Sequence, residues 1–141
     1  MSQYERILEL SNQGFACAQI LMQMVLDAED SHNPDLIRTI GALNNGLRDC
    51  GQACGALTGG LAMIAFYAGQ GEPDEIAAPG YDALAQELFA WFSRRLGERY
   101  GGITCPQILD GDPANKAARC PGIVEECLDK AIEMLANAGL V

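Results

Sequence analysis

Cys50-Gly51-Gln52-Ala53-Cys54-Gly55-Ala56-Leu57-Thr58-Gly59-Gly60-Leu61-Ala62-Met63-Ile64-Ala65-Phe66-Tyr67-Ala68 is the stretch whose reading decides the fold. No charged residue stands between Cys50 and Gly71. Length alone would let this region span a bilayer. Gln52, Thr58, Gln70 and six glycines argue against it, and the apolar run from Ala53 to Ala68 is short for that task. A helix that is apolar all round and does not cross a membrane is buried all round. The stretch therefore predicts a buried, glycine-rich central helix over about 52–68.

Outward from that helix the periodicity is helical throughout. On the C-terminal side, 69–80 reads as a loop. Leu84, Leu88, Phe92, Leu96 and Tyr100 then form an unbroken i, i+4 row, predicting a helix over about 81–100 that ends at Gly101-Gly102. Thr104-Cys105-Pro106 reads as a brief helical turn and 110–119 as loop or short helix. Cys120-Pro121 reads as the opening of a last helix with Val124, Cys127, Leu128, Ala131, Ile132 and Leu135 inward. On the N-terminal side, helices are expected over about 3–10, 15–28 and 34–43. Asn33-Pro34 starts the third and Asn44-Asn45-Gly46 forms a turn after it. No segment alternates like a strand. The expected fold is all-α: a single compact bundle of five or six helices, with residues 1–141 as one domain.

Nineteen acids against nine bases give a net charge of −10. Phosphate backbones would repel such a chain, so nucleic acid is not expected as a partner. The opening Met-Ser-Gln-Tyr-Glu-Arg has no basic and apolar leader pattern, so a cytoplasmic location is expected. The six cysteines, Cys17, Cys50, Cys54, Cys105, Cys120 and Cys127, are then expected as core thiols, metal ligands or redox thiols rather than as a structural disulfide framework.

Three features carry chemistry. Gly55, Gly59 and Gly60 each cost a helix about 1 kcal/mol relative to alanine. Gly55 and Gly59 share a face that would admit another backbone or a cofactor, and Cys54 immediately precedes them. Tight helix packing around a buried thiol is an equal alternative. Cys105-Pro106 and Cys120-Pro121 both place a thiol at an expected helix start, where free amides and the helix dipole would favour the thiolate. Cys17 and Cys127 lie on apolar helix faces, where cysteine commonly serves as a small hydrophobe.

Other constellations fail. No Cys-x-x-Cys is present, so neither a thioredoxin-like motif nor a zinc knuckle is expected. The lone histidine, His32, reads as a solvated or capping residue. Asp110-Gly111-Asp112 lacks the glycine and the glutamate of a calcium loop. No glycine-rich phosphate or dinucleotide motif appears, so no nucleotide is expected. Arg94, Arg95 and Arg99 read as solvated or salt-bridged.

The pattern resembles the redox-active protein family named for its C_GCAxxG_C_C cysteine signature. Cys54-Gly55-Ala56-Leu57-Thr58-Gly59 looks like its central motif. Cys17 looks like its first cysteine, and Cys105 and Cys120 like its last two. The likeness runs from about Gly14 to Leu135, with Cys50 and Cys127 additional to it. It implies a redox role resting on four cysteines. The family is similar in turn to the non-haem part of split-Soret cytochrome c, which carries an iron–sulfur centre. No Cys-x-x-Cys-His is present for haem.

Three readings follow, in order. In the first, Cys17, Cys54, Cys105 and Cys120 ligate an iron–sulfur cluster or other metal centre for electron transfer or sensing, with Gly55 and Gly59 clearing space beside it. In the second, the same cysteines form a metal-free thiol–disulfide oxidoreductase or redox sensor. In the third, the chain is a helical interaction module with structural cysteines. The first two call for a redox partner protein, and a homo-oligomer is compatible with all three.

Overall fold

The structure, a computed structural model, describes residues Met1–Val141. It contains seven right-handed α-helices, rather than five or six, and no strand. They are α1 (Gln3–Asn12), α2 (Cys17–Ala28), α3 (Pro34–Ile40), α4 (Gly55–Ala68), α5 (Tyr81–Tyr100), α6 (Cys105–Leu109) and α7 (Asn115–Asn137). None is long and apolar enough to cross a membrane.

Local chemistry accounts for most boundaries. Ser2 and Glu5 form a reciprocal capping box at α1. Asn33 caps α3, accepting from the Leu36 amide at 3.1 Å, with Pro34 in the first helical position. Gly101 ends α5 in the left-handed conformation at φ 81°. Leu88, Phe92 and Leu96, the middle of the α5 row, are buried.

Two boundaries differ from the sequence expectation. The glycine-rich helix starts at Gly55, not near Gln52, because the residues before it are extended. The Cys54 amide donates to Ile103 O at 2.8 Å and the Cys105 amide to Gln52 O at 3.0 Å, closing an isolated antiparallel bridge between Ala53 and Thr104. The last helix starts at Asn115, so Cys120 and Pro121 lie inside it rather than at its start. Asp112 nucleates that earlier start by accepting from the Ala114 amide at 2.9 Å.

Helix α4 packs against α2, α5 and α7. Its adjacent glycines serve different neighbours. A Cβ at Gly59 would stand 2.8 Å from Ala18 Cα and 2.9 Å from a Leu21 methyl, both on α2. A Cβ at Gly60 would stand 2.6 Å from Cys127 Sγ on α7 and 3.1 Å from Leu88 on α5. The missing side chains let helices approach from two sides. Gly97 has nothing within 4 Å of such a Cβ. Gly59→Ala should therefore destabilise by about 1–3 kcal/mol through overpacking. Gly97→Ala should stabilise by up to about 1 kcal/mol through helix propensity. Denaturant titration of both variants checks the pair, and a stabilised Gly59→Ala would contradict this packing.

Candidate functional site

Four separate elements deliver the four expected cysteines to one end of the molecule. Cys17 is the first residue of α2. Its helix has Ala16 at the N-cap, which offers no side-chain acceptor, and the cap is supplied from a distance. Asn44, 2% exposed, accepts from the Ala18 amide at 3.0 Å and the Gln19 amide at 3.2 Å, and donates to Gln19 Oε1 at 2.9 Å. Cys54 is itself the N-cap of α4, its Sγ accepting from the Ala56 amide at 3.4 Å. Cys105 opens α6 behind the Thr104–Gln107 capping box. Cys120 lies in the second turn of α7.

The glycines and the bridge bring these starts together. A Cβ at Gly55 would overlap the Cys17 sulfur, so Cys17 lies directly over the first residue of α4, beside Cys54. The Ala53–Thr104 bridge ties the chain preceding Cys54 to the chain preceding Cys105. A Cβ at Gly46 would stand 3.1 Å from Cys105 Cβ and 2.8 Å from Gln52 O, so only glycine fits there.

Gly46 lies within a left-handed turn that sequence reasoning missed. Asn45, Gly46, Leu47, Arg48 and Asp49 all have positive φ, between 56° and 69°. Asparagine and glycine adopt that conformation readily, but Leu47 and Arg48 each give up about 1–2 kcal/mol. The Asn44-Asn45-Gly46 cluster signals a turn, but nothing in it signals a run of this hand. Asn44 was also missed: its capping role depends on partners twenty-six and twenty-five residues away.

Burial works against the activation expected of Cys105 and Cys120 as thiols at helix starts. Burial pushes the Cys54 thiol well above the ordinary range, and a charge on Cys17 and then on Cys120 adds to the rise. Burial also raises Cys105, with further upward pushes from Cys17 and Asp49 against a downward one from Lys116. Cys120, interior to α7 rather than at its start, is raised to about 11 by burial, then by Cys17 and Cys105, with Lys116 opposing. Desolvation outweighs the helix termini. Cys17 interacts with all three others, and Cys120 likewise with Cys54, Cys17 and Cys105, so the four thiols form one mutually interacting group.

The two remaining cysteines stand apart from this group. Cys50 is exposed. Cys127 is fully buried against a different face of α4, donating to Ala56 O at 3.1 Å, and burial raises its pKa to about 12. It fills the space left by Gly60 as a core residue. Elsewhere, Arg95 and Arg99 pair with Glu126, and His32 is exposed.

Residues 15–134 match the family described as "Putative redox-active protein (C_GCAxxG_C_C)". The chain belongs to this family. No curated protein and no solved structure matches it. The matched span holds all four cysteines of the group described above, together with Cys50 and Cys127. No three histidine, cysteine, aspartate or glutamate side chains are set to hold a metal ion. Of the two glycines expected to clear a cofactor's space, Gly55 makes room for the Cys17 sulfur and Gly59 for the backbone of α2.

A pH dependence follows from the buried thiols. Their folded pKa values lie above the unfolded one, so the stabilisation is complete below about pH 8.5, where unfolded thiols begin to ionise. It is lost as pH rises toward about 11 for Cys120 and about 12 for Cys127. Each fully buried thiol should steepen the loss by about 1.4 kcal/mol per pH unit. Denaturation in reductant at a series of pH values from 8 to about 10.5 should show this slope, and Cys127→Ala should remove one thiol's share. Equal slopes in the two proteins would contradict the burial account.

Proposed function

We propose that Cys17, Cys54, Cys105 and Cys120 form one redox centre that works by thiol–disulfide exchange, with Cys17 as the attacking sulfur. The observation that carries this reading is the position of Cys17. It stands at a helix start, directly over Gly55 beside Cys54, and it lines an open cavity together with Cys120. One sulfur therefore faces both a buried thiol and the outside.

In the exchange, the Cys17 sulfur, as thiolate, attacks one sulfur of an acceptor disulfide. A mixed disulfide forms and the acceptor's other sulfur leaves as a thiol. A neighbouring cysteine then attacks Cys17 Sγ, releasing the second acceptor thiol and leaving an intramolecular disulfide. The protein loses two electrons and two protons, and the acceptor gains them. A cytoplasmic location, expected from the sequence, would keep the dithiol form at rest. The redox partner would be a dithiol or disulfide of compatible potential.

A second reading is favoured by the number and origin of the thiols. Four cysteines from four elements match the usual ligand count of an iron–sulfur cluster. The side chains as arranged do not suit a single metal ion. Bound by Cys17, Cys54, Cys105 and Cys120, such a cluster would supply one-electron transfer.

Thiol counting across a dithiothreitol redox series, on iron-free protein, tests the first reading. The expected result is reversible loss of two thiols, abolished in Cys17→Ser and retained in Cys50→Ser. Four permanently free thiols at every potential would contradict it. Anaerobic reconstitution with iron and sulfide decides the second. Bound iron and acid-labile sulfide lost together in Cys17→Ser would move the assignment to the cluster. If neither property is found, the helical interaction module remains.

A further inference from the structure

The cavity beside Cys17 has its own chemistry. Its volume is about 340 Å³, and it lies between α1, the start of α2 and the first turns of α7. Ile7, Ile20 and Val124 form a fully buried floor, and Phe15 and Pro121 add to the apolar wall. Cys17 and Cys120 both open onto it. On α7 the lining follows one helical face, with Lys116 one turn before Cys120.

Lys116 is the only charged residue of the lining. None of the chain's ion pairs involves it. In a chain with nineteen acids, no carboxylate lines this cavity. An apolar chamber holding two thiols, with one unpaired cation at its exposed edge, has the features of a small-molecule site.

Building on the thiol-exchange reading, we infer that this cavity binds a small, predominantly apolar disulfide carrying an acidic group, with the apolar part over Cys17 and Cys120 and the acid on Lys116. Cys17 attacks the bound S–S bond, and half of the ligand leaves as a thiol. Cys120, which opens onto the same cavity from α7, then displaces the other half and closes a Cys17–Cys120 bond. Two protons and two electrons pass to the ligand, which leaves as two thiols. The apolar walls select against strongly hydrated disulfides, and Lys116 offsets the repulsion that a −10 chain exerts on an anion.

Two chromogenic aromatic disulfides test this: 5,5′-dithiobis(2-nitrobenzoate), which is anionic, and 4,4′-dithiodipyridine, which is neutral. Both are reacted with the reduced Cys50→Ser protein, and each rate is normalised to the rate with glutathione. The expected result is an anionic-to-neutral rate ratio above one. Lys116→Gln should lower it by about three- to fivefold, the range of an exposed ion pair. Lys130→Gln, a charge change outside the cavity, should leave the ratio unchanged. Peptide mapping should place the product bond between Cys17 and Cys120. Oxidation by both probes with a ratio near one, insensitive to Lys116→Gln, would overturn the cavity assignment and leave thiol exchange standing. Failure of both probes to oxidise the folded protein would overturn both.

Discussion

The close approach of α2 to α4 is the constraint on which the rest of the structure depends. It requires Gly55 and Gly59 on one face of α4, where side chains would overlap the Cys17 sulfur and press on the Ala18 backbone. That contact sets the first residue of one helix against the first residue of another. Each helix start carries a cysteine, so one packing decision also brings two thiols together. The same absence of side chains at Gly60 seats Cys127 and Leu88 on a different face. The cost in helix propensity, about 1 kcal/mol per glycine, is offset by the burial of helices on both sides of α4.

The segment from Asn44 to Cys54 completes the arrangement by unusual means. Asn44 is buried to cap α2, the helix that Cys17 opens. The chain then takes five consecutive residues of left-handed backbone and returns in extended form to pair with 103–105. Gly46 O accepts from both the Cys50 and Gln52 amides, at 3.2 and 3.1 Å, and holds that turn in place. Strain of this kind persists only where the surroundings over-determine it, and such positions cluster at functional sites. In this chain it lies against Cys105.

Much of the fold was legible from local signals. The i, i+4 row of α5, the Asn33-Pro34 start of α3 and the uncharged stretch around α4 each read correctly as helix, because periodicity and capping are properties of neighbouring residues. What was not legible depends on distant partners. A two-residue bridge between Ala53 and Thr104 has no periodicity, so it moved the start of α4. Pro121 reads as a helix start by its own preference, yet Asp112 and Asn115 begin the helix earlier. That shift moved Cys120 from a helix terminus into a helix interior, where partial burial raises its pKa instead of a helix start lowering it. The seven-helix count follows from the same cause, because short helices such as α6 are set by what they pack against. Cys54, Cys105 and Cys120 stood out on local grounds and Cys17 joined them mainly through the family resemblance; the physical reason for placing it there, a sulfur lying over Gly55, needed coordinates.

The central claim is that these four thiols act as one group around Cys17 while Cys50 and Cys127 stand outside it. Peptide mass mapping of the iron-free protein after mild oxidation addresses it most directly, with free thiols alkylated in denaturant after acid quenching and bridged ones alkylated with a second reagent after reduction. The account predicts a disulfide that includes Cys17 and draws its other half from Cys54, Cys105 or Cys120, with Cys50 and Cys127 recovered as free thiols. A bridge that excludes Cys17, or one that incorporates Cys127, would contradict it.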